Sequence, residues 1–161
     1  MAASNYSGGG PAEVAGRLRT AVTRIDRLLS REVLGGTLTR TQFSVLGVLA
    51  REGEQRLADL VDREGLNPSM LSRIVGVLER EGWADRLPAP GDGRAVLVRI
   101  TPAGTELHQR LQRDRSALIT GWLDGLDDEA GQRLAAALPL LEDLAEDLAR
   151  RRAVVAAGTR R

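Results

Sequence analysis

Apolar residues recur at helical spacing through most of this chain, and the pattern switches to alternation in one short stretch. Beginning at Pro11, the positions Val14, Leu18, Ala21, Val22, Ile25, Leu28 and Leu29 repeat with helical period to about Ser30, and Gly35-Gly36 breaks the chain. Thr39 is the cap of a second predicted helix, with Phe43, Leu46 and Leu49 inward, ending near Gly53. A short third helix covers roughly Gln55 to Arg63, with Leu57, Leu60 and Val61 inward. Gly65-Leu66-Asn67 forms a tight turn, Asn67 caps the next helix and Pro68 occupies its first position. That helix carries Leu71, Ile74, Val75 and Leu78 on one side and stops at Gly82. A short strand beginning at Trp83, the Pro/Gly loop Pro88 to Arg94, and a strand with Val96, Val98 and Ile100 on one face come next. Thr101-Pro102 starts a long helix striped by Leu107, Leu111, Leu118 and Trp122, which reaches about Leu123. After Gly125, Asp127 caps a last helix bearing Leu134, Leu138, Leu141, Ala145 and Leu148, with Pro139 set to kink it.

A turn-linked helix pair running into a two-stranded hairpin is the outline of a winged helix-turn-helix. The fold class predicted is therefore mainly α with a small β-wing: a winged helix-turn-helix flanked by N- and C-terminal dimerisation helices. The chain divides into a disordered Gly-rich tail (1–10), an N-terminal dimerisation helix (11–36), the winged helix-turn-helix (37–101), C-terminal dimerisation helices (102–154) and a frayed tail (155–161). The long Leu stripes at both ends of the sequence exceed what a compact reader can cover. A symmetric homodimer would bury them and set two readers side by side.

The helix from Pro68 can be tested by its angles. At about 100° per residue, Ser69, Ser72, Arg73, Gly76 and Arg80 fall within roughly 60° of one direction, while Leu71, Ile74, Val75 and Leu78 gather on the opposite side. The first face is small, polar and basic, with no carboxylate at its centre, and suits close approach to a polyanion. An ordinary solvated helix surface is the plain alternative for this helix taken alone.

Composition narrows the field. The 161 residues carry 23 basic and 22 acidic side chains, a net charge of +1, so any basic patch comes from placement rather than excess. Every basic residue is Arg, a bias that weakens each single Arg as a signal of function. The absence of Cys excludes disulfides, thiol sensing and cysteine zinc sites, and the single His makes a histidine metal site or a Ser/His/Asp constellation a poor reading. No cofactor is expected, and Gly8-Gly9-Gly10 lacks the G-K-[ST] that would make it a phosphate loop. No apolar run reaches the ~18 residues of a membrane span, and no signal pattern opens the chain, so a cytoplasmic protein without membrane contact is expected. Together these features argue against an enzyme.

Five motifs, in order, resemble the multiple antibiotic resistance regulator (MarR) family of bacterial transcription factors. They are Leu38-Thr39 with Gln42-Phe43 and Leu46; Leu57-Ala58 with Leu60; Ser72-Arg73-Ile74-Val75 with Leu78-Glu79 and Gly82; Asp92-Gly93-Arg94; and Ile100-Thr101-Pro102-Ala103-Gly104. The resemblance spans roughly residues 14–149. It implies a homodimeric regulator, commonly a repressor, that binds an inverted repeat of double-stranded DNA and holds a small-molecule pocket between dimer helices and reader. It further implies that the helix of Pro68, Ser69, Ser72, Arg73 and Arg80 lies in the major groove, and that Arg94, oriented by Asp92, reaches the minor groove. Two departures stand out: Gly93 occupies a position where the family often has a second arginine, and Pro139 interrupts the last helix.

Single residues can be weighed the same way. An arginine at a Gly-rich turn gains from the negative potential of a narrow minor groove, which favours DNA contact for Arg94 over simple exposure. Asp92 and Gly93 lack the further acidic ligands of a calcium loop. Arg73 is expected on DNA rather than in a local ion pair, and Arg80 within reach of phosphate. Trp83 is expected to wedge wing against helix, Phe43 to sit in the core, Trp122 to serve the dimer core rather than a pocket, and His108 to be exposed or hydrogen-bonded. A small aromatic or apolar effector is expected where the first helix, the Phe43 helix and the helix after Thr101 meet. The competing reading is a winged-helix module that binds protein without sequence-specific DNA binding; salt-dependent binding to duplex separates the two.

Overall fold

The structure, a computed structural model, describes residues 10–159, without the side chains of residues 92–94 and 152–159. Among them run α1 (Pro11–Leu34), α2 (Arg40–Glu52), β1 (Gln55–Arg56), α3 (Leu57–Glu64), α4 (Pro68–Arg80), β2 (Ala84–Ala89), β3 (Asp92–Ile100), α5 (Pro102–Leu123) and α6 (Asp128–Thr159). The mainly helical class with a small β-wing stands. Most of the Gly-rich tail, residues 1–9, lies outside the described residues.

Local chemistry sets the element boundaries. Thr39 and Gln42 form a reciprocal capping box at α2: the Thr39 hydroxyl accepts from the Gln42 backbone (3.2 Å), and the Gln42 side chain accepts from the Thr39 backbone (2.7 Å). Asn67 Oδ1 accepts the Met70 backbone N–H at 2.7 Å and the Ser69 hydroxyl at 2.9 Å, so one carboxamide both caps α4 and orients its first polar side chain. Gly65 ends α3 in the left-handed region (φ 66°), and Gly82 provides the same conformation (φ 74°) after α4.

The core gathers around α2. Val45, Leu46 and Leu49 from α2, Leu60 from α3, Leu71, Val75 and Leu78 from α4, and Val98 from β3 are all fully buried. This unit positions α4 with its apolar side inward and its polar side outward.

Five boundaries differ from the sequence reading. Gln55–Arg56 is not helix but strand, paired antiparallel with Leu97 and Val98, so the sheet has three strands in the order β1-β3-β2. β2 begins at Ala84, one residue after Trp83, and the strands run further into the Pro/Gly stretch than its composition suggested, leaving Pro90-Gly91 as the turn. Pro90 followed by Gly91 at φ 78° suits a type II turn. Between Pro88 and Ala89 the register shifts, which leaves the backbone of residues 93–95 as an irregularity on β3. α1 continues to Leu34, which is buried. α6 passes through Pro139 and on to Thr159, so the helix crosses residue 154, where the C-terminal helices were expected to end and the frayed tail to begin. The run from Arg150 to Ala157 contains no helix breaker, and propensity carries the helix on.

The base of the wing is fastened to α5. Thr101 caps α5 by accepting the Gly104 backbone N–H (3.0 Å), donates its hydroxyl to the Gly82 carbonyl (2.7 Å), and donates its backbone N–H to Trp83 O (3.1 Å). Gly104 lies so close that a Cβ there would stand 2.0 Å from Trp83 O. That contact is the physical need behind the glycine of the Ile100–Gly104 motif.

Candidate nucleic-acid interface

The outward side of α4 is where the sequence placed the recognition surface. Pro68, Ser69, Arg73 and Arg80 are exposed, and Ser72 is half-buried. No ion pair holds Arg73 or Arg80 among the described residues, so both guanidinium groups are available to a polyanion. Met70 is also exposed, at 51%, beside Ser69 in the first turn. An unbranched thioether there offers apolar contact of the kind a thymine methyl accepts.

Gly76 leaves the middle of this face bare, and two guanidinium groups overhang it. An added Cβ would meet Arg86 Nη2 at 3.7 Å and Arg80 Nη1 at 3.9 Å. Arg86 escaped the sequence reading. It reaches from β2 to donate to the Ser72 carbonyl at 2.6 Å, and its Nε stands 3.4 Å from Glu79. The strand thereby grips the recognition helix and brings a third arginine to its face. The signal in the sequence was parity: Arg86 shares a strand face with buried Ala84, which turns it toward the helix.

Asp92 and Arg94 have backbone in β3 at the tip of the hairpin, but their side chains lie outside the described residues. Arg94 falls within the register irregularity next to the Pro90-Gly91 turn. On the neighbouring strands, Arg99 pairs with Asp85 at 3.0 Å and braces the lower wing. Trp83, half-buried, packs against the core cluster.

A second concavity opens on the other side of α2. It is a cleft of about 550 Å³ lined by α1 (Asp26, Ser30), α2 (Phe43, Gly47, Arg51 and others), Glu64 at the end of α3, and α5 (His108, Gln112, Arg115). The three helices named in the sequence reading do converge here, but the walls are more polar than an apolar effector would want. His108 is a correction: only 6% exposed, it stacks on Phe43 with ring centroids 5.0 Å apart, and its Nε2 has no hydrogen-bond partner among the described residues. Burial, followed by the positive fields of Arg51 and Arg115, holds its pKa below the ordinary 6.5. Arg115 lies 4.5 Å over the Phe43 ring and donates to Ser30 Oγ at 2.6 Å.

The long helices leave broad apolar surface in the single chain. Val22, Ile25 and Leu28 of α1, Leu118, Ile119 and Trp122 of α5, and Leu138, Leu140, Leu141, Leu144 and Leu148 of α6 are exposed. No described residue of α6 is buried. No helix among the described residues is long and apolar enough to cross a membrane, and no cluster of potential metal ligands occurs among them.

Comparison with known proteins agrees with this geometry. The MarR family model matches residues 38–96, which spans α2 through the wing. An HTH-type transcriptional regulator of Mycobacterium bovis is 32% identical over 136 residues, covering 84% of this chain and 95% of that protein. The crystal structure of apo MarR from E. coli superposes with a TM-score of 0.67 at 26% identity, covering 80% of this chain and 95% of that one. The PcaV transcriptional regulator of Streptomyces coelicolor, solved in complex with its natural ligand, gives a TM-score of 0.58 at 28% identity, covering 91% and 98%.

Proposed function

The chain belongs to the MarR family of HTH transcriptional regulators, and on that premise we propose that it is a homodimeric, effector-responsive repressor acting at an inverted-repeat operator. The observation that carries the reading is the outward face of α4: serines, a bare glycine and two arginines that no ion pair holds among the described residues, with no carboxylate at its centre. Ser69, Ser72 and Arg73 read base edges in the major groove, with Pro68 setting the helix start at the duplex and Arg80 reaching phosphate. Arg94 enters the minor groove beside the Pro90-Gly91 turn, with Asp92 orienting it. Arg86 holds the reading helix at its angle to the wing.

The exposed Leu, Ile and Trp surface of α1, α5 and α6 supports dimerisation through both chain ends. Two-fold symmetry then places the recognition helices about one helical turn apart, so half-site centres lie roughly 10 bp apart. The cleft between α1, α2 and α5 touches both the proposed dimer helices and the reader, so a ligand there can bias the spacing of the two readers.

Fluorescence anisotropy with duplex taken from upstream of the gene tests this reading. Specific binding should weaken with salt; about four phosphates neutralised per subunit give a slope of log K against log salt near −7. Equal affinity for random duplex, or a flat salt response, would favour a protein-binding winged-helix module instead.

A further inference from the structure

The two serines on the outward face of α4 are held in opposite senses. A serine hydroxyl has one proton to give and two lone pairs that accept. Left to rotate, it suits either kind of base edge and distinguishes little. Here each hydroxyl has a neighbour that can play only one role. Asn67 Oδ1 accepts the Met70 backbone N–H at 2.7 Å, which fixes that end of the carboxamide as its oxygen. Ser69 Oγ stands 2.9 Å from the same oxygen, so Ser69 donates its proton there. The exposed Ser69 therefore presents lone pairs to the outside.

Ser72 is set the other way. A guanidinium has donors and no acceptor. Arg86 Nη2 donates to the Ser72 carbonyl at 2.6 Å and lies 3.4 Å from Ser72 Oγ, so the hydroxyl oxygen is the accepting atom. The pairing of Arg86 Nε with Glu79, at 3.4 Å, holds the guanidinium from its other edge. A hydroxyl inside a helix can give its proton to the carbonyl four residues back, as Thr20 does to Gly16 (2.9 Å) and Thr105 does to Thr101 (3.0 Å). Ser72 makes no such bond to Pro68 among the described residues, so its proton remains available to the open face.

Resting on the major-groove reading above, we propose that α4 reads hydrogen-bond polarity with these two serines. Ser69 accepts from an exocyclic amino group, adenine N6 or cytosine N4. Ser72 donates to an acceptor, purine N7, guanine O6 or thymine O4. Asn67 and Arg86 are the positioning residues that set the two senses, and they shape sequence preference through the serines. The serines are three residues apart, about 4.5 Å along the helix, against about 3.4 Å per base step, so the two readings fall on neighbouring steps.

Competition binding on the full chain tests this, with the tightest duplex that the parent protein selects from a random-sequence pool. In both half-sites of that duplex, single groups are deleted base by base. Purine for adenine, or pyrimidin-2-one for cytosine, removes an amino group. A 7-deazapurine, 2-aminopurine for guanine, or 5-methylpyrimidin-2-one for thymine removes an acceptor. Each contacted group should cost the parent about two- to tenfold in affinity per half-site when it is lost. Ser69→Ala should become blind to one amino deletion and keep its response to acceptor deletions. Ser72→Ala should become blind to an acceptor deletion at the neighbouring step and keep its response to amino deletions. Asn67→Gly keeps a usable cap and removes the oxygen that takes the Ser69 proton. Arg86→Met keeps the length of the side chain and removes the donor. Measured well below melting, each should blunt the response of its own serine and spare that of the other, which a general loosening of α4 would not do. Ser69 coupled to an acceptor, Ser72 coupled to an amino group, or a serine whose removal changes no response overturns the polarity reading. An undiminished Ser69 response in Asn67→Gly, or Ser72 response in Arg86→Met, overturns the positioning roles. A parent protein that ignores every deletion, or selects no duplex, refutes the major-groove reading itself, and the polarity reading falls with it.

Discussion

Gly104→Ala sets two well-known effects against each other. In an exposed helix position, alanine is favoured over glycine by roughly 1 kcal/mol. At Gly104 the new Cβ would lie 2.0 Å from Trp83 O and 2.9 Å from its carbonyl carbon, against 3.4–4 Å for ordinary contact. Both neighbours are backbone, so no rotamer change relieves the overlap, and α5 must part from the base of the wing by more than about 1 Å. That movement strains the Thr101 bonds to Trp83 O (3.1 Å) and Gly82 O (2.7 Å). Overpacking costs about 1–3 kcal/mol, and losing two hydrogen bonds adds about 1 kcal/mol each. After the helix-propensity gain, the net expectation is a loss of about 2–4 kcal/mol, or roughly 5–15 °C in Tm for a chain of this length. Thermal unfolding by circular dichroism at one fixed protein concentration measures it, since association would make Tm depend on concentration. Gly131→Ala is the control: it is helical, nothing lies within 4 Å of its added Cβ, and it should be neutral or slightly stabilising. If Gly104→Ala melts with the control, the close approach at the wing base is not a real constraint and the argument fails.

Further outcomes are open to direct measurement. Arg73→Ala and Arg94→Ala should each weaken operator binding by about 1–3 kcal/mol per subunit with unchanged melting, Arg73→Ala relaxing major-groove preference and Arg94→Ala acting on A·T-rich flanks; unchanged affinity for Arg94→Ala removes the wing from the interface. Arg86→Gln should lower both operator affinity and Tm, because it releases the bonds to Ser72 and Glu79; a loss of affinity without any loss of stability would make Arg86 a DNA contact rather than a brace. Light scattering at micromolar concentration should give a dimer, and Leu144→Asp with Leu148→Asp should dissociate it; a stable monomer for the parent chain refutes the terminal-helix interface. Because His108 has a folded-state pKa below 6.5, its contribution to stability is complete above that pH and declines as pH falls through the lowered value; denaturant titrations near pH 7 and pH 5.5 should show that loss in the parent and less of it in His108→Gln.

The features legible in the sequence were the ones fixed by neighbours along the chain. Asn67-Pro68, Thr39 and Thr101-Pro102 mark helix starts because a cap and its first turn lie within three residues of each other. The glycines at 65 and 82 mark stops for the same reason. β1 was missed because two residues cannot show alternation; Gln55 and Arg56 become strand only through Val98 and Leu97, some forty residues away. Arg86 was missed because its purpose lies on another element, at Ser72. His108 was misread because its chain neighbours Glu106, Gln109 and Arg110 are polar, while the partner that buries it is Phe43 of α2. The polar character of the cleft followed from that same error.

The two-residue strand β1 has a consequence out of proportion to its length. By pairing with β3, it joins residue 55 to residue 98 and closes the segment carrying α3, α4 and the wing into a ring. A ring of this kind opens as one cooperative unit: α4 cannot fray without releasing either its packing on α3 or the pairing that holds the ring shut. Amides in α4 and in β3 should then exchange with solvent together and slowly, while those of α6, which buries no described residue, exchange fast in any free single chain. The reader behaves as a solid body, and whatever controls it must turn or shift that body whole.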